Sequence, residues 1–162
     1  MKKHESQRGY FAYELYQQMT LNPDIILLVG DLGFGMFDSI RDDYHKQLIN
    51  CGASEQTMLD VAVGLALSGK IVFCYTITSF FMRAAETIGL YLHGEQIPVK
   101  LVGSGRDQDY HIDGPSHDCT IAQDFLRNTN VRELYPDTKE EIPLLIKQMV
   151  ESKVPTFISL KR

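Results

Sequence analysis

The sequence predicts an α/β fold, doubly wound, with a mostly parallel six-stranded sheet and helices on both faces. Short, unbroken apolar runs alternate along the chain with segments of helical period, the pattern of strands buried on both sides and joined by crossover helices. No apolar run approaches the length needed to cross a bilayer, and 162 residues suit one domain, expected to span 1–162.

The first element is a helix over residues 10–19, where Phe11, Leu15 and Met19 recur at helical spacing and Asn22-Pro23 stops the run. Residues 25–30 then form an apolar strand that empties into Gly30-Asp31-Leu32-Gly33-Phe34-Gly35, a turn in which glycine permits a sharp change of direction. The segment 36–47 is polar and carries no clear period. A short strand over 48–52 leads into a helix over 54–68 with Ser54 as its N-cap. Met58, Leu59, Val61, Val63, Leu65 and Leu67 leave that helix almost no polar face, so burial nearly all round is expected. Gly69-Lys70 ends it. A strand over 71–75, a helix over 80–93 and a strand over 99–103 follow, and a polar loop over 104–116 precedes a helix over 119–127. A strand over 131–135, a helix over 138–152 and a final strand over 156–160 complete the alternation.

The net charge of −5 and the lack of a concentrated basic stretch argue against a non-specific nucleic-acid binder, which must displace phosphate counterions. The opening run from Met1 to Arg8 is charged and is not followed by the apolar stretch of a secretory leader, so a cytoplasmic location is expected. Cys51, Cys74 and Cys119 are odd in number, far apart and free of any Cys-x-x-Cys, which points to reduced thiols in the interior rather than a disulfide framework or a zinc site.

Ligands of such sheets bind beyond the carboxyl ends of the strands, so the loops over 50–56, 76–83 and 103–118 hold the chemistry. Glu55 stands out because it occupies the first turn of an otherwise apolar helix. The helix dipole favours its anion while burial disfavours it, and a carboxyl group held between those effects can share a proton with a ring nitrogen. Taken alone, local capping is the better explanation of an acidic residue there.

Glu55 does not stand alone. The stretch from Ile49 to Lys70, with Glu55-Gln56 opening an apolar helix that closes on Gly64-Leu65-Ala66-Leu67-Ser68-Gly69, resembles the pyrimidine-binding segment of transketolases and deoxyxylulose-phosphate synthases. Tyr75 through Phe80 to Arg83-Ala84 looks like the aromatic segment of that family. Asp113-Gly114-Pro115-Ser116-His117 is similar to its Asp-Gly-Pro-Thr-His loop, and Val154-Pro155-Thr156-Phe157-Ile158-Ser159-Leu160 to its terminal strand. The motifs span nearly the whole chain in the family's order.

The resemblance implies a thiamine diphosphate-binding fold and a residue-by-residue assignment. Glu55 would activate the cofactor by bonding its aminopyrimidine, Phe80 would stack on that ring, and Tyr75 would belong to the same wall. Asp113 and His117 would meet the substrate, with His117 moving a proton, and Arg83 would reach a substrate phosphate or a partner carboxylate. Ser116 replaces the family's usual Thr, and Asp118-Cys119 replaces its more common Gln or His. His111, Asp113 and His117 can also be read as a metal cluster, but they lack the helical His-Glu-x-x-His spacing.

The family's diphosphate-binding half carries a Gly-Asp-Gly followed by Asn, and nothing in this sequence fits it. The resemblance therefore implies a separate diphosphate-binding subunit, Mg²⁺ held through that partner, an α2β2 heterotetramer, and ketol transfer between sugar or sugar-phosphate substrates. Three other readings remain: the small subunit of a thiamine-dependent 2-oxo acid decarboxylase, a non-catalytic α/β binding module, and a nucleotide or flavin oxidoreductase of similar architecture. The Asp113 to His117 loop favours ketol transfer over the first, and Gly103-Ser104-Gly105-Arg106-Asp107-Gln108 lacks the last glycine of a dinucleotide fingerprint.

Overall fold

The computed structural model describes residues 4–161; Met1 to Lys3 of the charged opening lie outside the described residues. Six parallel strands form one sheet in the order β2-β1-β3-β4-β6-β5, with β1 Ile25–Val29, β2 Leu48–Asn50, β3 Ile71–Ile77, β4 Lys100–Ser104, β5 Arg132–Leu134 and β6 Thr156–Leu160. The doubly wound parallel sheet expected from the sequence is the fold observed.

Burial on both faces explains the unbroken apolar runs. In β1, Ile25, Leu27 and Val29 enter one core while Ile26 and Leu28 enter the other. The first core packs the sheet against α1 (Gln7–Leu21) and α6 (Ile142–Glu151), through Phe11, Leu15, Met19, Ile142 and Ile146. The second packs it against α3 (Glu55–Leu67), α5 (Thr120–Arg127) and the segment 78–94, through Met58, Leu59, Phe81, Ile88 and Leu126. Local signals set the ends of the first layer. The Ser6 hydroxyl caps α1 by accepting from Gly9 N–H, and a capping box between Thr138 and Glu141 opens the turn Lys139–Glu141 that leads into α6.

Several elements depart from expectation. The polar segment over 36–47 contains a short helix, α2 (Asp38–Asp43), held on the core by Ile40. Strand β3 runs two residues further than the sequence indicated, to Ile77, and the expected helix over 80–93 is irregular. It begins as a 3₁₀ turn at Thr78–Ala84, passes through one α turn, α4 (Ala85–Thr87), and ends as a π turn at Ile88–Gly94. The loop over 104–116 is broken into single turns at Arg106–Gln108, His111–Asp113 and, beyond it, Pro115–His117.

Helix α3 is not buried all round. Val61 is 39% exposed and Leu67 is 67% exposed, because only the side carrying Met58, Leu59, Ala62 and Val63 meets the sheet. Among the described residues no helix is long and apolar enough to cross a membrane.

Gly103 sets how closely the 3₁₀ turn approaches the sheet. A methyl group there would run into Thr78 Oγ1 and lie 2.8 Å from Phe157 Cε2. Gly103→Ala is therefore expected to destabilise the chain by about 1–3 kcal/mol through overpacking, read as a lowered urea midpoint; an unchanged midpoint would mean the turn is free to move.

Candidate functional site

The sheet order places the site. The chain leaves β1 for β2 on one side and leaves β3 for β4 on the other, so the crossovers diverge at the carboxyl ends of β1 and β3. In an open parallel sheet such a divergence leaves a crevice. Three elements meet there: Gly30 just past β1, Thr76 near the end of β3, and Glu55 at the start of α3.

The Glu55 side chain is 1% exposed. Its Oε1 accepts from the Thr76 hydroxyl at 3.3 Å, and its Oε2 accepts from Arg83 Nη1 at 2.8 Å. Gly30 leaves room for this arrangement, since a Cβ would stand 3.1 Å from Thr76 Oγ1 and 3.4 Å from Glu55 Oε1. Ser54 occupies the cap position without bonding the helix backbone; its hydroxyl donates to Thr57 Oγ1 at 2.9 Å. The carboxylate of Glu55 is thus the negative charge at a helix N-terminus, where the dipole favours it.

A row of side chains runs outward from Glu55. The Arg83 guanidinium lies 4.1 Å from the centroid of the Phe80 ring, and Phe80 meets His117 edge-on at 5.1 Å. The Ser79 hydroxyl donates to the Ser116 carbonyl at 2.8 Å, tying the loop of His117 to the 3₁₀ turn, while the Ser116 hydroxyl bonds His117 Nδ1 at 3.0 Å. Beyond His117 stands Tyr110, ring centroids 6.0 Å apart, and its hydroxyl accepts from Arg8 Nη1 at 2.6 Å.

Of the residues singled out in the sequence, Glu55, Arg83, Phe80 and His117 come together and two do not. Tyr75 lies on the opposite face of the sheet from Thr76. It stacks on Phe11 at 5.9 Å and meets Phe37 edge-on at 5.1 Å, which removes it from the wall of Phe80. Alternation along β3 is the reason: adjacent residues point to opposite faces, so only one of Tyr75 and Thr76 can face α3. Burial pushes the Tyr75 hydroxyl up to about 12, a shift opposed by the positive charge of Arg8. Asp113 is exposed, and its carboxylate makes no hydrogen bond or ion pair among the described residues. Arg83, expected to reach a phosphate or a partner carboxylate, is engaged by Glu55 and Phe80.

The departures from the family loop have structural roles. Asp118 accepts from the Thr120 N–H at 2.9 Å and from its hydroxyl at 2.7 Å, bonds that hold its carboxyl below the usual carboxylate range. Cys119 is buried with Sγ 3.2 Å from the Gly105 carbonyl, and burial pushes its thiol up. His111 bonds the Gln108 carbonyl at 3.1 Å, and among the described residues no three His, Cys, Asp or Glu side chains converge on a metal-sized site.

Sequence reasoning missed Thr76, Arg8 and Tyr110. Thr76 was legible from strand alternation once β3 is extended to Ile77, whereas Arg8 and Tyr110 carry no local signal and meet only through folding. They line a cavity of about 390 Å³ together with Leu32, Phe34, Tyr75 and Ser104.

Comparison with known proteins matches this geometry to a family. Residues 6–162 match the transketolase pyrimidine-binding domain. The chain is 35% identical over 94 residues to human transketolase, covering 57% of this chain and 15% of that protein. It is 24% identical over 161 residues to a subunit of the apulose-4-phosphate transketolase of Phocaeicola vulgatus, covering 96% of this chain and 51% of that subunit. A solved split-gene transketolase, described as an inactive beta4 tetramer, superposes with a TM-score of 0.85 at 25% identity, over 97% of this chain and 51% of that one. The chain therefore spans about half of the Phocaeicola vulgatus relative and of the split-gene protein, and a smaller share of the human enzyme. With the match running through Glu55, the 3₁₀ turn and the His117 loop, the chain belongs to the transketolase pyrimidine-binding domain family.

Proposed function

We propose that the chain is one domain, 1–162, serving as the pyrimidine-binding part of a thiamine diphosphate-dependent transferase, with the diphosphate and its Mg²⁺ held by a separate subunit in an α2β2 assembly. The observation that carries the reading is the recessed carboxylate of Glu55, 1% exposed at the switch point of the sheet and flanked by the flat ring of Phe80. A planar guanidinium already bonds Glu55 and covers Phe80, so the pair accepts a flat group with a hydrogen-bonding edge, the shape of an aminopyrimidine.

When bound, thiamine diphosphate supplies a nucleophilic carbon that can carry a ketol fragment from one sugar to another. The protein's part is positioning and proton handling. Glu55 would hold the ring nitrogen and share a proton with it, Thr76 fixes the orientation of the carboxylate through Oε1, and Phe80 would orient the ring. His117, anchored by Ser116 and packed on Phe80, moves a proton at a substrate hydroxyl, and Asp113 accepts a hydrogen bond from another hydroxyl at the mouth of the loop. Arg8, at the edge of the cavity beside Tyr110, supplies the positive charge for an anionic terminus such as a sugar phosphate.

A separate diphosphate-binding partner is supported by the Phocaeicola vulgatus relative, itself named as one subunit of its enzyme. The exposed apolar residues Val61 and Leu67 of α3 suit contact with another chain.

Glu55→Gln is expected to lower turnover of the assembled pair by about 10²–10⁴-fold. The urea midpoint of the chain alone should stay close to wild type, because Arg83 is half exposed and remains hydrated without its partner. Calorimetry should detect Mg²⁺-thiamine diphosphate binding by the chain mixed with a diphosphate-binding subunit, and a silent titration of the pair counts against the proposal. Ketoses or ketose phosphates should be consumed by that pair in preference to pyruvate-like 2-oxo acids, measured by product formation; the reverse preference would assign the chain to decarboxylation.

A further inference from the structure

The contact between Arg83 and Glu55 raises a question that the proposed function leaves open. Both oxygens of the Glu55 carboxylate are engaged, Oε1 by Thr76 at 3.3 Å and Oε2 by Arg83 at 2.8 Å. The Oε1 side is closed by the backbone of Gly30 and by buried Thr76. The Oε2 side is closed by Arg83, whose side chain is 51% exposed while that of Glu55 is 1% exposed. Arg83 is therefore the outer cover of the carboxylate.

The guanidinium meets the same two surfaces that a heterocycle would need. It is flat, lies over the Phe80 ring at 4.1 Å, and directs an N–H edge at Glu55. A guanidinium presents N–H donors in one plane, as an aminopyrimidine would when its ring nitrogen carries the proton shared with the carboxylate. We propose that Arg83 is an internal stand-in for the heterocycle, holding the gap between Phe80 and Glu55 until the ring displaces it. This inference rests on the reading of Glu55 and Phe80 as the aminopyrimidine site.

Physical chemistry accounts for both halves of the device. A recessed carboxylate with no counter-charge is costly to keep dry, and Arg83 offsets that cost while the ring is absent. Glu55 is the only hydrogen-bond partner of Arg83 among the described residues, so release needs rotation of one long, half-exposed side chain and no movement of the backbone. The ring then competes with a tethered rival, and its apparent affinity is reduced by the fraction of molecules in which the gap is already filled.

The test uses the full chain, isotopically labelled, titrated with the free hydroxymethyl aminopyrimidine fragment of thiamine and followed by NMR of the Phe80 ring and the Arg83 side chain. In the wild type, the Phe80 and Arg83 signals should shift together along one binding curve. Arg83→Ala and Arg83→Gln should each bind the fragment roughly tenfold more tightly, as expected when a rival that fills about nine sites in ten is removed. Arg83→Gln keeps most of the side-chain bulk and serves if Arg83→Ala does not fold. Unchanged or weaker binding in the folded variants, with the Phe80 signals still responding, overturns the stand-in while leaving the aminopyrimidine site intact. No response of Phe80 in any variant, nor with thiamine diphosphate and a diphosphate-binding subunit present, overturns the site and the inference together.

Discussion

The arrangement at the carboxyl end of the sheet depends on one buried carboxylate. Glu55 sits where the crossovers after β1 and after β3 part company, so its side chain enters the crevice from the helix while Thr76 and Gly30 supply the floor from the sheet. A charge in that position needs compensation, and the protein provides three kinds: the N-terminal dipole of α3, a neutral hydroxyl beneath, and a guanidinium at the solvent side. The 3₁₀ turn after β3 exists in a geometry that lets Arg83 reach back to Glu55 while Phe80 lies beneath the same guanidinium.

Strand alternation divides the chemistry between the two faces of the sheet. Thr76 faces α3 and the carboxylate, whereas Tyr75 faces α1 and the cavity lined by Arg8 and Tyr110. The two regions are joined over the top of the strands by a continuous row of contacts, Arg83 to Phe80 to His117 to Tyr110 to Arg8. The loop that carries His117 is held from below by buried Cys119 and closed at its end by Asp118, so residues that depart from the family pattern fix the loop.

Apolar content and burial are different quantities, and α3 shows why. From Met58 onward Asp60 is its one polar side chain, yet Val61 and Leu67 lie on the surface because a helix laid on a sheet can present only one side to it.

Much of this was written locally. The unbroken run Ile25 to Val29 and its counterparts identified a two-faced parallel sheet, because a strand covered on both sides has no polar position to spare. The acidic start of α3 and the order of motifs from Glu55 to His117 pointed to the crevice from sequence alone. The side on which Tyr75 falls, the closure of Arg83 over Glu55, and the meeting of Arg8 with Tyr110 across about a hundred residues of chain were not legible. Each depends on the length of β3, the 3₁₀ and π character of the segment that follows it, or the docking of α1. Composition and period report which residues seek the interior. Which side chains touch there is decided by the register and twist with which distant segments pack, and no local stretch of residues contains that information.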